Sequence, residues 1–224
     1  MPGTLYIVST PIGNLSDITF RAVEVLKQVD LIACEDTRRT KILLEKFGLA
    51  KNLISYYNYN ERQRAEEIIR ELKSGKNVAL VSDSGTPGIS DPGFVLIKRA
   101  IEENITITPI PGPTAFVCAL VGSGLPMDEF VFVGFLPHKK GRKTKLKKLS
   151  EEERTVILYE SPHRLIKTLN EILENFGDRE IAVAKELTKI HEEFFRGKIS
   201  EVLKKLTSDK IKGEFVIVIS GKTN

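Results

Sequence analysis

The densest group of chemically active side chains lies between Ser82 and Gly93, a segment that reads Ser-Asp-Ser-Gly-Thr-Pro-Gly-Ile-Ser-Asp-Pro-Gly. Its glycines allow the backbone to approach a ligand closely, and its prolines restrict the shape of the loop. Asp83 follows an apolar run, Val78–Val81, which is typical of a buried strand. Open α/β sheets bind ligands at the carboxyl ends of their strands, so this segment is a candidate ligand loop. The alternative is a solvated turn rich in turn-forming residues.

A second polar segment, Glu35-Asp36-Thr37-Arg38-Arg39-Thr40, follows the predicted strand Leu31–Cys34. Arginine binds phosphate through paired hydrogen bonds, and a helix amino terminus attracts anions. The segment therefore suits a nucleic-acid backbone or a phosphorylated substrate. The alternative is a helix cap, made by Thr37, with internal pairs between aspartate and arginine.

The third candidate is a basic run from His138 to Lys148, in which seven of eleven residues are lysine or arginine and none is acidic. Such a run is often the solvated face of a helix. Because it carries only one sign of charge, contact with a phosphate backbone is the other interpretation. The candidate RNA contacts in this run are Lys139, Lys140, Arg142 and Lys143.

Shorter polar segments follow other predicted strands. The turn Ser9–Asp17 contains a glycine but lacks the GxGxxG pattern, and by itself it indicates an ordinary strand-to-helix turn capped by Ser16 or Asp17. Pro113 is expected at the first position of a short helix. The segments Glu160–Leu165 and Lys185–Lys189 end strands in the second half of the chain.

These segments are positioned by alternating strands and helices, which indicate an α/β fold with a mostly parallel sheet in the first half. Helices are expected from about Asp17 to Val29 and from Thr37 to Phe47, between strands at Leu5–Val8, Leu31–Cys34 and Ile54–Tyr56. The second half alternates less regularly, which indicates a mixed sheet, with Glu193–Gly197 as an edge strand or hairpin arm. We expect two lobes, 1–118 and 119–224, with a ligand cleft between them.

Composition narrows the class of protein. The chain of 224 residues is 41% hydrophobic and carries a formal net charge of +4, which permits a polyanionic partner without requiring one. Its two cysteines, Cys34 and Cys118, lie in apolar segments and are expected to be buried free thiols in a reducing compartment. No metal site, signal peptide or membrane helix is legible, so a cytoplasmic location is expected.

Taken in order, these loops resemble one family closely. The segments TPIGNLSDIT, EDTRRT, SDSGTPGISDPG, PGPTA, SGLP, GFLP, ESPHRL and ELTK are similar to those of the ribosomal RNA small-subunit methyltransferase I family. That family belongs to the tetrapyrrole methylase fold group, the class III S-adenosylmethionine (SAM) methyltransferases. The resemblance covers essentially the whole chain and implies two α/β lobes with SAM in the cleft between them.

The resemblance also implies which residues bind the cofactor. In the first lobe, the candidates lie in the first loop, the long loop and the segment after the fifth strand: Ile12, Asp83, Gly85, Thr86, Thr114 and Ala115. In the second lobe, the candidates are Leu158, Tyr159 and Glu160.

The reaction implied by the resemblance is methylation of a cytidine ribose 2′-oxygen in the decoding region of 16S rRNA. A ribose hydroxyl is a poor nucleophile at neutral pH, so a base is expected. Asp36, Glu35 and Glu186 are the candidate bases, and Lys185 could orient the hydroxyl. Arg38 and Arg39 could hold flanking phosphates. The fold group commonly forms dimers, so a homodimer is expected.

Other functions remain open at this point. A methylase acting on a porphyrinoid has no need of the EDTRRT segment or of the basic run. A non-catalytic RNA-binding module has no need of the elaborate loops of the first lobe, and SAM binding separates it from either enzyme. A phosphotransferase is disfavoured because the chain lacks a P-loop.

Overall fold

The structure is a computed structural model that describes residues 1–206 and 211–223. The chain divides into two compact units, Met1–Thr114 and Ala115–Asn224. The predicted boundary at 118 falls inside the first helix of the second unit, Ala115–Ser123. In the described part of the chain, no helix is long and apolar enough to cross a membrane.

The first unit is a parallel sheet with helices on both faces. Its strands are β1 (Thr4–Val8), β2 (Leu31–Cys34), β3 (Asn52–Ser55), β4 (Val78–Val81) and β5 (Thr106–Ile110), in the order β3-β2-β4-β1-β5. Its helices are α1 (Phe20–Gln28), α2 (Thr37–Lys46), α3 (Glu61–Lys73) and α4 (Phe94–Glu102). All the strand pairs are parallel, so the loops that follow the strands share one edge of the sheet.

The side chains of β4 show why helices cover both faces of this sheet. Val78 and Leu80 pack into an apolar cluster with α3 and α4, whereas Ala79 and Val81 pack into a second cluster with α1 and α2. Successive side chains of a strand point to opposite faces, so an unbroken apolar run needs cover on both sides. The prediction of a parallel, doubly covered sheet is confirmed.

The second unit contains a mixed sheet. Its strands are β6 (Phe130–Phe135), β7 (Thr155–Glu160), β8 (Glu180–Lys185), β9 (Glu193–Lys198) and β10 (Phe215–Ile219), in the order β6-β7-β10-β8-β9. Strands β6 and β7 are parallel, and the other pairs are antiparallel. The prediction that Glu193–Gly197 forms an edge strand is confirmed by β9. The helices are α5 (Ala115–Ser123), α6 (Arg142–Leu149), α7 (Leu165–Phe176) and α8 (Ile199–Lys205).

Several local predictions were wrong. Helix α1 begins at Phe20 rather than Asp17, because the Thr19 side chain accepts a hydrogen bond from the Ala22 N–H and caps it. Ser16 and Asp17 lie in a short 3₁₀ helix instead. Helix α2 is capped by Asp36, whose carboxylate accepts from the Arg38 N–H, and not by Thr37.

Two further predictions concern the segment around α5. Pro113 is not the first helical residue, because α5 begins at Ala115. Cys118 is exposed, whereas Cys34 is buried as predicted. The apolar run that contains Cys118 buries Ala119 and Leu120 while leaving Val117 and Val121 exposed. An amphipathic pattern is hard to see in such a run, because both faces carry apolar residues.

Candidate active site

Three loops meet at the carboxyl edge of the parallel sheet through a chain of hydroxyl groups. The Thr86 hydroxyl lies 2.9 Å from that of Ser9, in the loop after β1, and 2.8 Å from that of Thr114, after β5. The backbones of Thr10 and Gly85 also exchange hydrogen bonds of 2.8 and 3.1 Å. These contacts join loops that are far apart in sequence into one surface.

The glycine at position 85 is required by this meeting of loops. Gly85 has φ +85°, and a Cβ added there would lie 3.2 Å from the Cγ2 of Ile12. A larger residue would be strained and would push the first loop away. The structure therefore brings together five of the predicted cofactor residues, namely Ile12, Asp83, Gly85, Thr86 and Thr114. Ala115, the sixth from this part of the chain, is the first residue of α5.

Asp83 connects the long loop to the loop after β2. Its Oδ1 accepts a 2.9 Å hydrogen bond from the Asp36 N–H, and its Oδ2 lies 3.5 Å from an Arg39 guanidinium nitrogen. Its side chain is only 19% exposed. The carboxylate that follows β4 is thus fixed against the amino terminus of α2.

The two acidic residues after β2 have opposite electrostatic environments. The Arg38 guanidinium and the Arg38 N–H donate to Asp36, and they lower the pKa of that carboxyl to about 2. For Glu35, burial and the nearby carboxylate of Asp83 raise the pKa, against an opposing effect of Arg39. A proton acceptor is most effective when its pKa lies close to the working pH. Of the two carboxyls, Glu35 therefore has the pKa that lies closer to neutral pH.

The long loop is held from its far end by a contact that the sequence did not suggest. Glu61, at the start of α3, accepts hydrogen bonds from the Gly93 and Val95 N–H groups at the start of α4. The buried Tyr56 hydroxyl donates to Glu61 at 2.8 Å and accepts from the Leu96 N–H at 3.2 Å. Burial and the Glu61 carboxylate raise the pKa of Tyr56 well above its usual range.

Replacing Tyr56 by Phe is expected to lower the free energy of unfolding by about 1–3 kcal/mol, because it leaves buried polar groups without a partner. Chemical denaturation measures the change. Tyr59→Phe is the matched control, because the Tyr59 side chain is 97% exposed and its hydroxyl is open to water. Equal stability of the two variants would show that the Tyr56 hydroxyl does not hold the loop.

In the second unit, the predicted cofactor residues of β7 have structural partners. Leu158 is fully buried in the apolar core. The Tyr159 hydroxyl accepts a 3.3 Å hydrogen bond from the Phe116 N–H, and its ring contacts Phe132 and Phe135 edge-on. Glu160 is buried and accepts from Arg164, Thr168 and the Ser161 N–H. Any contact that Leu158 makes with a ligand would have to use its backbone.

The basic segment before and within α6 divides into two kinds of residue. Lys139, Lys140 and Lys143 are exposed, as an RNA contact requires. Arg142 is 5% exposed, and it donates to Glu171 at 2.7 Å and to the Thr168 hydroxyl at 2.7 Å. Its guanidinium therefore binds partners inside the second unit.

The remaining predicted catalytic residues are Lys185, the last residue of β8, and Glu186, which follows it. Burial acts to raise the pKa of Glu186, but hydrogen bonds from Lys189 and from the Glu214 N–H outweigh it and lower that pKa. Glu186 has φ +48°, and a Cβ on Gly213 would lie 2.3 Å from its carboxyl carbon. Lys185 and Glu186 line a cavity of about 430 Å³ with His191, Lys212 and others.

Comparison with known proteins identifies the class. Residues 4–203 match the model of the tetrapyrrole (corrin/porphyrin) methylases, and the chain belongs to that family. A cobalt precorrin-4 methyltransferase has a TM-score of 0.71 at 18% identity, covering 97% of this chain and 94% of that one. Uroporphyrin-III C-methyltransferase from Thermus thermophilus, in complex with S-adenosyl homocysteine, has a TM-score of 0.69 at 16% identity, covering 97% of each chain.

Closer relatives define the particular branch. The ribosomal RNA small subunit methyltransferase I of Thermotoga maritima is 50% identical over 98% of this chain and 99% of its own length. The protein of that name from Synechocystis is 52% identical over 99% of this chain and 80% of its own length. The one from Bacillus subtilis is 49% identical over 99% of this chain and 76% of its own length. The chain therefore belongs to the ribosomal RNA small subunit methyltransferase I family, and it is a methyltransferase that uses SAM.

The first unit suits this cofactor. SAM carries a cationic sulfonium, an ammonium group, a carboxylate and ribose hydroxyls, so its site needs hydroxyl, carboxylate and backbone partners. The hydroxyl chain of Ser9, Thr86 and Thr114, the carboxylate of Asp83 and the close backbone approach at Gly85 are groups of these kinds. Ser9 belongs to the hydroxyl chain but was not among the cofactor residues predicted from the sequence, although it directly precedes the TPIGN segment.

Proposed function

We propose that this protein methylates the ribose 2′-oxygen of a cytidine in the decoding region of 16S rRNA. The main support is the edge after β2, where Glu35 has a raised pKa and the Arg38 and Arg39 side chains are exposed. The next residue, Asp36, donates its N–H to Asp83, which lies three residues before Thr86 in the loop that carries the hydroxyl chain. A base, phosphate-binding cations and cofactor groups thus share one edge of a sheet. The closer relatives are named as ribosomal RNA methyltransferases, which supports RNA as the substrate.

The roles of the residues follow from their chemistry. When bound, SAM supplies an electrophilic methyl group on its sulfonium. Glu35 would take the proton of the ribose hydroxyl and later release it to water. The ribose oxygen would bond to the methyl carbon as the carbon–sulfur bond breaks, which would leave the cofactor as a neutral thioether. Arg38 and Arg39, whose side chains are 88% and 68% exposed, hold the flanking phosphates. Asp36 fixes Arg38 and the start of α2.

The second unit contributes further RNA contacts in this proposal. Lys139, Lys140 and Lys143 are exposed cations that bind phosphates, so affinity for RNA should fall as salt rises. Arg142 is left out because it is buried against Glu171 and Thr168. Lys185 keeps the proposed role of orienting the hydroxyl, and Glu186 is a weaker candidate base than Glu35 because its pKa is lowered.

The proposal extends to assembly and location. Val117, Val121, Phe130 and Phe135 of the second unit are 39–64% exposed, and large exposed apolar side chains mark interaction surfaces. We propose that they contact a second copy in a homodimer, which sedimentation equilibrium tests. We also propose that the protein acts in the cytoplasm, where small ribosomal subunits would be its substrate.

Methyl transfer from radiolabelled SAM to small ribosomal subunits that lack the modification tests the function. The expected result is label on a single cytidine ribose in the decoding region. Uroporphyrinogen serves as the competing substrate, because a uroporphyrin-III C-methyltransferase is among the structural neighbours. Label on the porphyrinoid alone would overturn the proposal, as would label on a base or on another nucleotide.

A further inference from the structure

We propose that Tyr57 and Tyr59, here called the tyrosine pair, form a stacking surface for an unpaired RNA base that neighbours the methylated nucleotide. The inference rests on the proposed function and adds a contact to the same site. Neither residue was among the candidates derived from the sequence, although the segment Ser55-Tyr56-Tyr57-Asn58-Tyr59 follows a strand of the same sheet.

The sheet places the tyrosine pair beside the candidate base. Strands β2 and β3 are parallel neighbours in which Cys34 pairs with Ser55. The Tyr56 N–H donates to the Cys34 carbonyl at 2.8 Å, which carries the pairing one residue past β3. The segment that holds Glu35 and Asp36 and the segment that holds the tyrosine pair therefore leave the sheet side by side.

The rings are exposed and their loop is fixed. Tyr59 is 97% exposed and Tyr57 is 40% exposed, with ring centroids 6.5 Å apart in an edge-to-face arrangement. The Asn60 Oδ1 accepts from the Tyr57 N–H at 2.8 Å, and its Nδ2 donates to the Ser55 carbonyl at 3.2 Å. A fixed backbone reduces the entropy lost when a base docks on the rings.

The chemistry of this surface points to single-stranded nucleic acid. Exposed aromatic rings stack on bases, and nearby cations hold the backbone. Arg38 and Arg39 supply exposed guanidiniums at the start of α2, on the adjacent strand end. A ring that is almost wholly exposed adds little to the apolar core, so folding does not explain an aromatic residue at position 59.

Binding and turnover of the double variant Tyr57→Ala/Tyr59→Ala test the inference. The RNA probe is a single-stranded oligonucleotide with the decoding-region sequence around the target cytidine. We expect its affinity, and kcat/KM for small subunits, to fall about tenfold or more, as loss of one base stack predicts. The affinity for SAM, measured by calorimetry, should not change.

Two controls separate stacking from other roles. Tyr57→Phe/Tyr59→Phe keeps both rings and should retain wild-type affinity. Ile101→Ala removes an apolar side chain that is 63% exposed. Ile101 lies in the last turn of α4, at the opposite end of that helix from the long loop Ser82–Gly93, so the change should have no effect on RNA binding. Loss of affinity in the phenylalanine variant would overturn stacking in favour of hydroxyl contacts.

Other outcomes also distinguish between possible roles of the tyrosine pair. Unchanged oligonucleotide binding in the alanine variant would overturn the inference even if the wild-type enzyme methylates subunits. Weaker binding to subunits alone would assign the rings to a ribosomal protein, and a shift to monomer would assign them to a dimer contact. If wild type binds the oligonucleotide through the rings but transfers no methyl group, the proposed function fails and the stacking surface stands.

Discussion

Replacing Glu35 by Gln is expected to reduce kcat for methyl transfer about 10²–10⁴-fold, the usual contribution of a positioned general base. The amide is nearly the same size but cannot take the proton of the ribose hydroxyl. Single-turnover transfer from radiolabelled SAM measures the effect. Glu45→Gln is the matched control, because Glu45 is an exposed residue near the end of α2 that pairs only weakly, at 3.8 Å, with Lys41.

Asp36→Asn provides the contrasting variant. Asn is as good a helix cap as Asp, so α2 should remain capped. The Asp36 carboxylate has a pKa of about 2 and both its oxygens accept from Arg38, so it is a weak proton acceptor. We expect a smaller loss of activity than for Glu35→Gln. The reverse order, with SAM affinity intact in both variants, would assign the base to Asp36.

The pH dependence follows from the direction of the Glu35 shift. The base must be deprotonated to act, so the rate should rise with pH through a pKa above the ordinary value for glutamate and then level off. In Glu35→Gln this limb should disappear while the residual rate stays flat. An unchanged limb in the variant would show that another group titrates.

Removal of the Glu160 carboxylate is expected to give the largest loss of stability. Arg164, Thr168 and the Ser161 N–H all donate to it in the interior of the second unit, and its side chain is fully buried. Breaking a buried ion pair by removing one partner costs about 3–5 kcal/mol, because the remaining charge is left uncompensated. Urea denaturation of Glu160→Ala against wild type measures this loss.

Glu151→Ala is the control for a pair at the surface. Glu151 pairs with Lys222 at 2.6 Å, but both side chains are largely exposed, so little change is expected. The Glu160 variant also tests the cofactor role that the family resemblance implies for this residue. If its stability is unchanged and its SAM affinity falls, Glu160 acts as a ligand contact and the buried network is unimportant.

Much of the fold was predictable because the sheets leave strong local patterns. The uninterrupted apolar run of β4 requires cover on both faces, and this alone indicates a parallel sheet with helices on either side. Helix starts were less predictable, because several hydroxyl and carboxylate residues compete for the cap. Thr19 caps α1 in place of Ser16 or Asp17, and Asp36 caps α2 in place of Thr37. The choice depends on where the chain leaves the preceding strand.

The candidate site was predictable only in part. The alternation of apolar and polar segments predicted which loops follow strands and which of them hold carboxylates, arginines, hydroxyls and glycines. A parallel sheet sends all such loops to one edge, so the membership of Asp83, Thr86 and Thr114 could be expected. Their contacts depend on strand order, which places β1 between β4 and β5 and so brings Ser9 between the other two loops.

The environments of Glu35 and Arg142 depend on tertiary contacts, whereas the pair between Asp36 and Arg38 is local in sequence. Residue type does not distinguish Glu35 from Asp36; burial near Asp83 raises the pKa of one, and a hydrogen-bonded arginine lowers that of the other. Likewise Arg142 stands in a basic run, yet it is buried because Glu171 and Thr168, far along the chain, accept its hydrogen bonds. The partners of Glu35 and Arg142 are set by packing between segments that are distant in sequence, so local sequence patterns do not reveal them.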